Sequence, residues 1–230
     1  MRRTLERCEI VRRELCRLES EVALCDRCYG GAPRLPVRFE RPAEPPRVLI
    51  LGERPPRQIL ESQERVGPSS PDAGSRFLAE MLAEAGIGAK GVVCGAACLC
   101  RPVDRSLEAA VSLAVCVREC AGHVRTLARI TTPRVILPLG QQAVRALRLA
   151  FPREPVVQAL RFPQSVGRTV IAGTTFIHPL YHTTVRARVT RPEPQQRQDW
   201  QAVGELWAWL QAGEHGPPPG VAEEPAGTPR

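Results

Sequence analysis

Residues 47–56 read RVLILGERPP, and the fold is read from this stretch. Its apolar run is continuous where a half-buried strand would alternate, so it reads as a strand covered on both faces and ended by a turn at Gly52. Such a strand belongs in a mostly parallel sheet with helices on either side. Toward the C-terminus, residues 73–86, AGSRFLAEMLAEAG, place Phe77, Leu78, Met81, Leu82 and Ala85 at helical spacing before a glycine stop. GVVCGAACLC, residues 91–100, reads as a second strand. SLEAAVSLAVCVRECAGHVRTLARI, residues 106–130, reads as one long helix or two, ended before Pro133. RVILPLG, residues 134–140, is a third buried strand leading to a helix near Gln141, and TVIAGTTFIHP, residues 169–179, is a fourth that delivers His178 into a loop. The terminal helix, RQDWQAVGELWAWLQAG, turns Trp200, Val203, Leu206, Trp207 and Leu210 inward.

Toward the N-terminus, the Pro-rich connection APRLPVRFERPAEPP separates the first strand from CDRCYGG, residues 25–31, and from an amphipathic helix over residues 2–23. That helix places Leu5, Ile10, Val11, Leu15, Leu18 and Val22 at spacings of three to five. The expected architecture is α/β, a three-layer α/β/α sandwich with a central, mostly parallel, four-stranded sheet. A single domain over residues 1–212 and a disordered Pro-, Gly- and Glu-rich tail over 213–230 are expected. Functional groups of such folds gather at the carboxyl ends of the strands, where this chain carries Gly52-Glu53, the CRP of residues 100–102, and His178-Pro179.

With 230 residues, 43% of them hydrophobic, the chain is long enough to bury one sizeable core. No apolar run reaches the roughly 20 residues that span a bilayer, and the first 21 residues alternate charge with apolar groups, unlike a signal peptide. A cytoplasmic location, a monomeric state and no membrane partner are expected. In a reducing compartment nine cysteines favour metal binding or plain packing over disulfides. Cys25 and Cys28 have the spacing of a metal-binding pair, while Cys94 and Cys98 read as small buried hydrophobes inside a strand. The net charge of +8 favours a polyanionic partner, DNA or RNA.

Taken in order, CDRC, GERPP, LAEAGI, CLCRP, PRVILPLG and FIHPLY resemble the iron–sulfur uracil-DNA glycosylases of bacteria and archaea, a branch of the uracil-DNA glycosylase superfamily. The resemblance runs from Cys25 to about Arg186. It implies a DNA-repair hydrolase that removes uracil or another deaminated base from DNA in base excision repair. It also implies a structural [4Fe-4S] cluster held by Cys25, Cys28, Cys100 and a fourth cysteine. Counting forward from Cys100 favours Cys116 for that place, and counting back from Pro133 favours Cys120, which is preferred; zinc is the alternative metal.

By the same resemblance, His178 stabilises the departing base and Glu53 positions water or offsets charge on the sugar. Gly52 and Pro55 shape the adjacent loop, Leu180 and Tyr181 fill the space of the flipped base, and Arg186 and Arg188 meet phosphates. The pattern departs where the family reads the base. Ala96 stands in place of an asparagine that reads the edge of uracil, Ser69 in place of a stacking aromatic, and Leu99 in place of a lysine. RQILESQER, residues 57–65, is basic first and acidic only at Glu61 and Glu64. The alternatives are a catalytically weak or inactive DNA-binding member of the superfamily and a zinc-stabilised nucleotide-binding α/β protein.

Overall fold

In a computed structural model, residues 2–213 and 217–221 are described. The chain runs through α1 (Arg2–Leu24), β1 (Arg34–Pro36), β2 (Val48–Gly52), α2 (Arg57–Glu61), α3 (Ala73–Glu84), β3 (Val92–Ala96), β4 (Cys100–Pro102), α4 (Arg105–Ala110) and α5 (Leu113–Thr131). It continues through β5 (Val135–Pro138), α6 (Gln141–Ala150), α7 (Pro155–Ala159), β6 (Val170–Ala172), β7 (Thr175–Ile177), α8 (Val185–Thr190) and α9 (Glu193–Gln211). The central sheet has the order β3-β2-β5-β7-β6, parallel except for the β6–β7 edge.

The strands are continuously apolar because both faces are covered. Leu49, Leu51, Val93, Ile136 and Ile177 join one core under α1, α5 and α6. Val48, Ile50, Val92, Cys94, Val135, Leu137 and Phe176 join the other under α3 and α9. Cys94 is thus a core residue, buried within β3. Helix starts are locally encoded: Asp72 accepts from the amides of Gly74 and Ser75 at α3, and Ser112 from that of Val115 at α5. Gly140, at φ 86°, makes the turn from β5 into α6, a conformation that L side chains avoid.

Three sequence expectations are corrected. The stretch 169–179 forms a hairpin of β6 and β7, turned at Gly173 with φ 60°, so the sheet has five strands where four were expected. The second predicted strand breaks at residues 97–99, and its end, β4, pairs antiparallel with β1 in a separate two-stranded ladder. On α1, Leu5 and Ile10 are exposed; the buried stripe is Cys8, Val11, Leu15, Leu18 and Val22, spaced three and four apart. Each Leu or Val of that stripe contributes about 1.5–3 kcal/mol on burial.

Within the tail expected to be disordered, residues 217–221 are described, and the amide of Thr169 donates to Gly220 at 3.1 Å. Residues 214–216 and 222–230 lie outside the described residues. Among the described residues no helix is long and apolar enough to cross a membrane.

Candidate active site and thiol cluster

The cysteines come together because three elements converge on α5. Cys116 and Cys120, one helical turn apart, share a face of that helix. Cys28, in the turn after α1, and Cys98, in the break after β3, each lie close enough to both of them to couple their protonation. The Tyr29 hydroxyl stands 3.1 Å from the Cys116 sulfur. Those contacts, reinforced by burial, push the Cys28 and Cys98 thiols up, and the same contacts hold Cys116 and Cys120 down. Burial first, then the charges of Cys120 and Cys25, pushes Cys100 up to about 12. The β1–β4 ladder, with Pro36 opposite Cys100, ties the segment after the cysteine pair to this cluster.

Six thiols therefore occupy one region: the four expected ligands Cys25, Cys28, Cys100 and Cys120, the alternative Cys116, and Cys98. Cys98 is buried in the core as expected, 1% exposed, but not within a strand. The chain leaves the sheet after Ala96, and this turns Cys98 toward α5 instead. A donor set made only of cysteine sulfur suits an iron–sulfur cluster or zinc. Among the described residues no group of three or more His, Cys, Asp or Glu side chains has the geometry to hold a single metal ion.

Beside the cluster is the rim of the sheet. Gly52 pairs with Ala96, the Ala97 amide donates to Gly52 at 2.8 Å, and the Cys98 amide donates to the Glu53 carbonyl at 3.1 Å. The peptide that carries Glu53 is thus fixed by the same turn that carries Cys98. The Glu53 side chain is exposed. Behind it Arg54, Arg57 and Arg101 converge on Glu108, with Arg54 at 2.8 Å. Burial would raise the Glu108 carboxyl, but the three guanidinium groups outweigh it and hold it below the usual range.

His178 does not open onto this rim. It is 0% exposed, its amide donates to Ile136 at 3.0 Å, and its Nδ1 lies 2.9 Å from the Thr169 hydroxyl. Its Nε2 is buried and has no hydrogen-bond partner among the described residues. Phe176 and Leu180, two residues to either side, both enter the core under α3 and α9, so strand alternation carries His178 to that side as well. Burial lowers its pKa to about 4, against the opposing charge of Asp199 on α9.

The second imidazole of the loop, His182, lies beside Gly52 instead. Its Nε2 is 3.4 Å from the point where a Cβ on Gly52 would stand. The sequence holds the signal for it in HPLYH, a second histidine four residues after the first.

The remaining expected site residues are dispersed. Leu180 is 1% exposed and packed in the core, bound through its backbone to Pro138 and Gly140, so it does not project toward DNA as expected. Tyr181 is half-buried against Phe162, ring centroids 4.9 Å apart. Arg188 pairs with Glu193 at 3.6 Å and lies 4.8 Å over the Phe77 ring, whereas Arg186 is exposed. Pro55 is buried and accepts from Arg101 through its carbonyl at 2.8 Å. Ala96 is 2% exposed; Ser69 is exposed, with its amide and hydroxyl on the Glu40 carboxylate.

No curated protein matches the chain. The family model of the uracil DNA glycosylase superfamily matches residues 40–211, most of the chain, beginning after the Cys25–Cys28 pair and containing both the rim and the other four thiols of the cluster. The five-stranded sheet, the carboxylate at the end of β2 and the imidazole loop after β7 all fall within that match, and the chain belongs to the uracil DNA glycosylase superfamily.

Proposed function

We propose that the protein is a DNA glycosylase that hydrolyses the N-glycosidic bond of uracil or another deaminated base. The observation that carries this reading is Glu53, an exposed carboxylate at the carboxyl end of β2 in a chain of this superfamily. The target nucleotide leaves the helical stack and enters the rim. The bond from C1′ to the base nitrogen breaks, and its electron pair departs with the base. A water oxygen bonds to C1′, and the proton that this water gives up passes to Glu53. A hydrogen bond to a carbonyl oxygen of the departing base stabilises its charge. Resemblance assigns that donor to His178.

The proposed [4Fe-4S] cluster is held by Cys25, Cys28, Cys100 and Cys120, with Cys116 as the alternative fourth ligand. Its role is structural: when bound it joins the turn after α1, the β4 edge and α5. Support comes from the all-sulfur donor set.

Ala96 offers no polar group to the edge of a base, so the reading includes weak discrimination among deaminated bases. The test is incubation of the loaded protein with single- and double-stranded oligonucleotides containing uracil, hypoxanthine or xanthine. Abasic product is expected from at least one of them, and Glu53→Gln is expected to slow its formation by a factor of about 100. No abasic product from any of them overturns the enzyme reading.

A further inference from the structure

We propose that His182 is a catalytic residue of this site, donating from Nε2 to the carbonyl oxygen of the base as it departs. The inference rests on the glycosylase reading and refines which imidazole of the loop does the chemistry.

Position is the first argument. His182 Nε2 lies 3.4 Å from the Cβ point of Gly52, the residue before Glu53, so imidazole and carboxylate flank the end of the same strand. Gly140 is a second neighbour: a Cβ there would stand 3.8 Å from the His182 Cβ, an ordinary packing contact. His178, in contrast, is sealed on the α9 side of the sheet, and its Nδ1 is occupied by Thr169.

The tautomer is the second argument. The Thr184 amide donates to His182 Nδ1 at 3.3 Å, so Nδ1 is an acceptor and the ring proton of the neutral form resides on Nε2, facing Gly52. Burial lowers the His182 pKa, against the opposing charge of Asp72, and keeps the ring in that neutral form. A neutral ring with Nε2–H in place is a hydrogen-bond donor that needs no rearrangement as negative charge develops on the base. Gly140 is also the N-cap of α6, a helix of ten residues whose positive end lies beside the ring and favours the same charge.

The experiment compares wild type, His182→Ala, His182→Gln and His178→Asn in single-turnover base release from the most reactive oligonucleotide. In parallel, the 15N resonances of the His182 ring are followed on adding an oligonucleotide with 2′-fluoro-deoxyuridine, which resists cleavage. Expected are a fall of at least 100-fold for His182→Ala, a smaller fall for His182→Gln, whose amide also donates, and a selective shift of the Nε2 resonance on binding. Wild-type release with His182→Ala unchanged overturns the inference and leaves the glycosylase reading intact. Shift of Nε2 without release from any oligonucleotide overturns the glycosylase reading and retains His182 as a base contact; neither release nor shift overturns both.

Discussion

A methyl group occupies position 96, where Ala96 is buried opposite Gly52 at the end of the sheet. A site without a hydrogen-bond partner for the base edge rejects a wrong base weakly, because no polar group is left unpaired when that base enters. Ala96→Asn is therefore expected to raise the preference for uracil over hypoxanthine, measured as a ratio of kcat/KM, by about tenfold, equivalent to about 1.4 kcal/mol. An unchanged ratio in a folded variant counts against Ala96 as the specificity position. His178 permits a stability prediction, since burial lowers its pKa from 6.5 to about 4. Between these values the unfolded chain binds more protons than the folded one, so stability is full above pH 6.5 and declines as pH falls toward 4. The loss amounts to about 2 kcal/mol at pH 5 and about 3 kcal/mol at its limit. Carboxylates titrate in the same window in any variant, so the measurement is a comparison: His178→Asn is expected to lose about 2 kcal/mol less than wild type between pH 7 and pH 5 in urea unfolding. Equal losses in the two proteins would show that the histidine does not sense its burial.

The elements were legible where one physical signal dominated. The apolar runs of β2 and β5 have a single reading, a strand covered on both faces, and both faces are covered. The hairpin of β6 and β7 was not, because its strands are three residues each and too short to show a period; Gly173 was its only mark. Cys98 is buried as expected but lies outside the strand, for a related reason. Whether a residue near a strand end joins one core or the other depends on where the ladder stops, and Ala97 and Cys98 leave it for backbone bonds with Gly52 and Glu53. The resemblance gives the catalytic place in HPLYH to the first histidine and no role to the second, and only the fold brings His182 against Gly52. With Cys98, Cys116 and Cys120 all in contact with Cys28 or one another, the ligand set is best decided by substitution. Protein isolated without oxygen is expected to show a broad visible band and bound iron. Cys28→Ser, Cys100→Ser and Cys120→Ser are expected to lose both, while Cys98→Ser and Cys116→Ser retain them. Loss in Cys116→Ser with retention in Cys120→Ser transfers the fourth place to Cys116.

Across the whole molecule, the formal charge of +8 overstates what is free to meet DNA. Arg54, Arg57 and Arg101 are committed to Glu108, Arg191 to Asp199, and Arg188 and Arg197 to Glu193. An arginine held by a carboxylate has to give up that partner before it neutralises a phosphate, and the two charges then largely offset each other in counterion release. Arg186 is different: it is exposed on α8, between the exposed side chains of Val185 and Val189, on the chain segment that follows His182. Each phosphate neutralised in duplex DNA adds about 0.9 to the magnitude of the slope of log affinity against log salt. Arg186→Ala is therefore expected to weaken binding evenly across sequences and to reduce the magnitude of that slope by about one, measured by fluorescence anisotropy between 50 and 200 mM salt. Arg188→Ala is expected to change the slope by much less, because its guanidinium is shared between Glu193 and the Phe77 ring. The reverse ranking would mean that the Glu193 pair opens on binding and that α8 meets DNA through its other face.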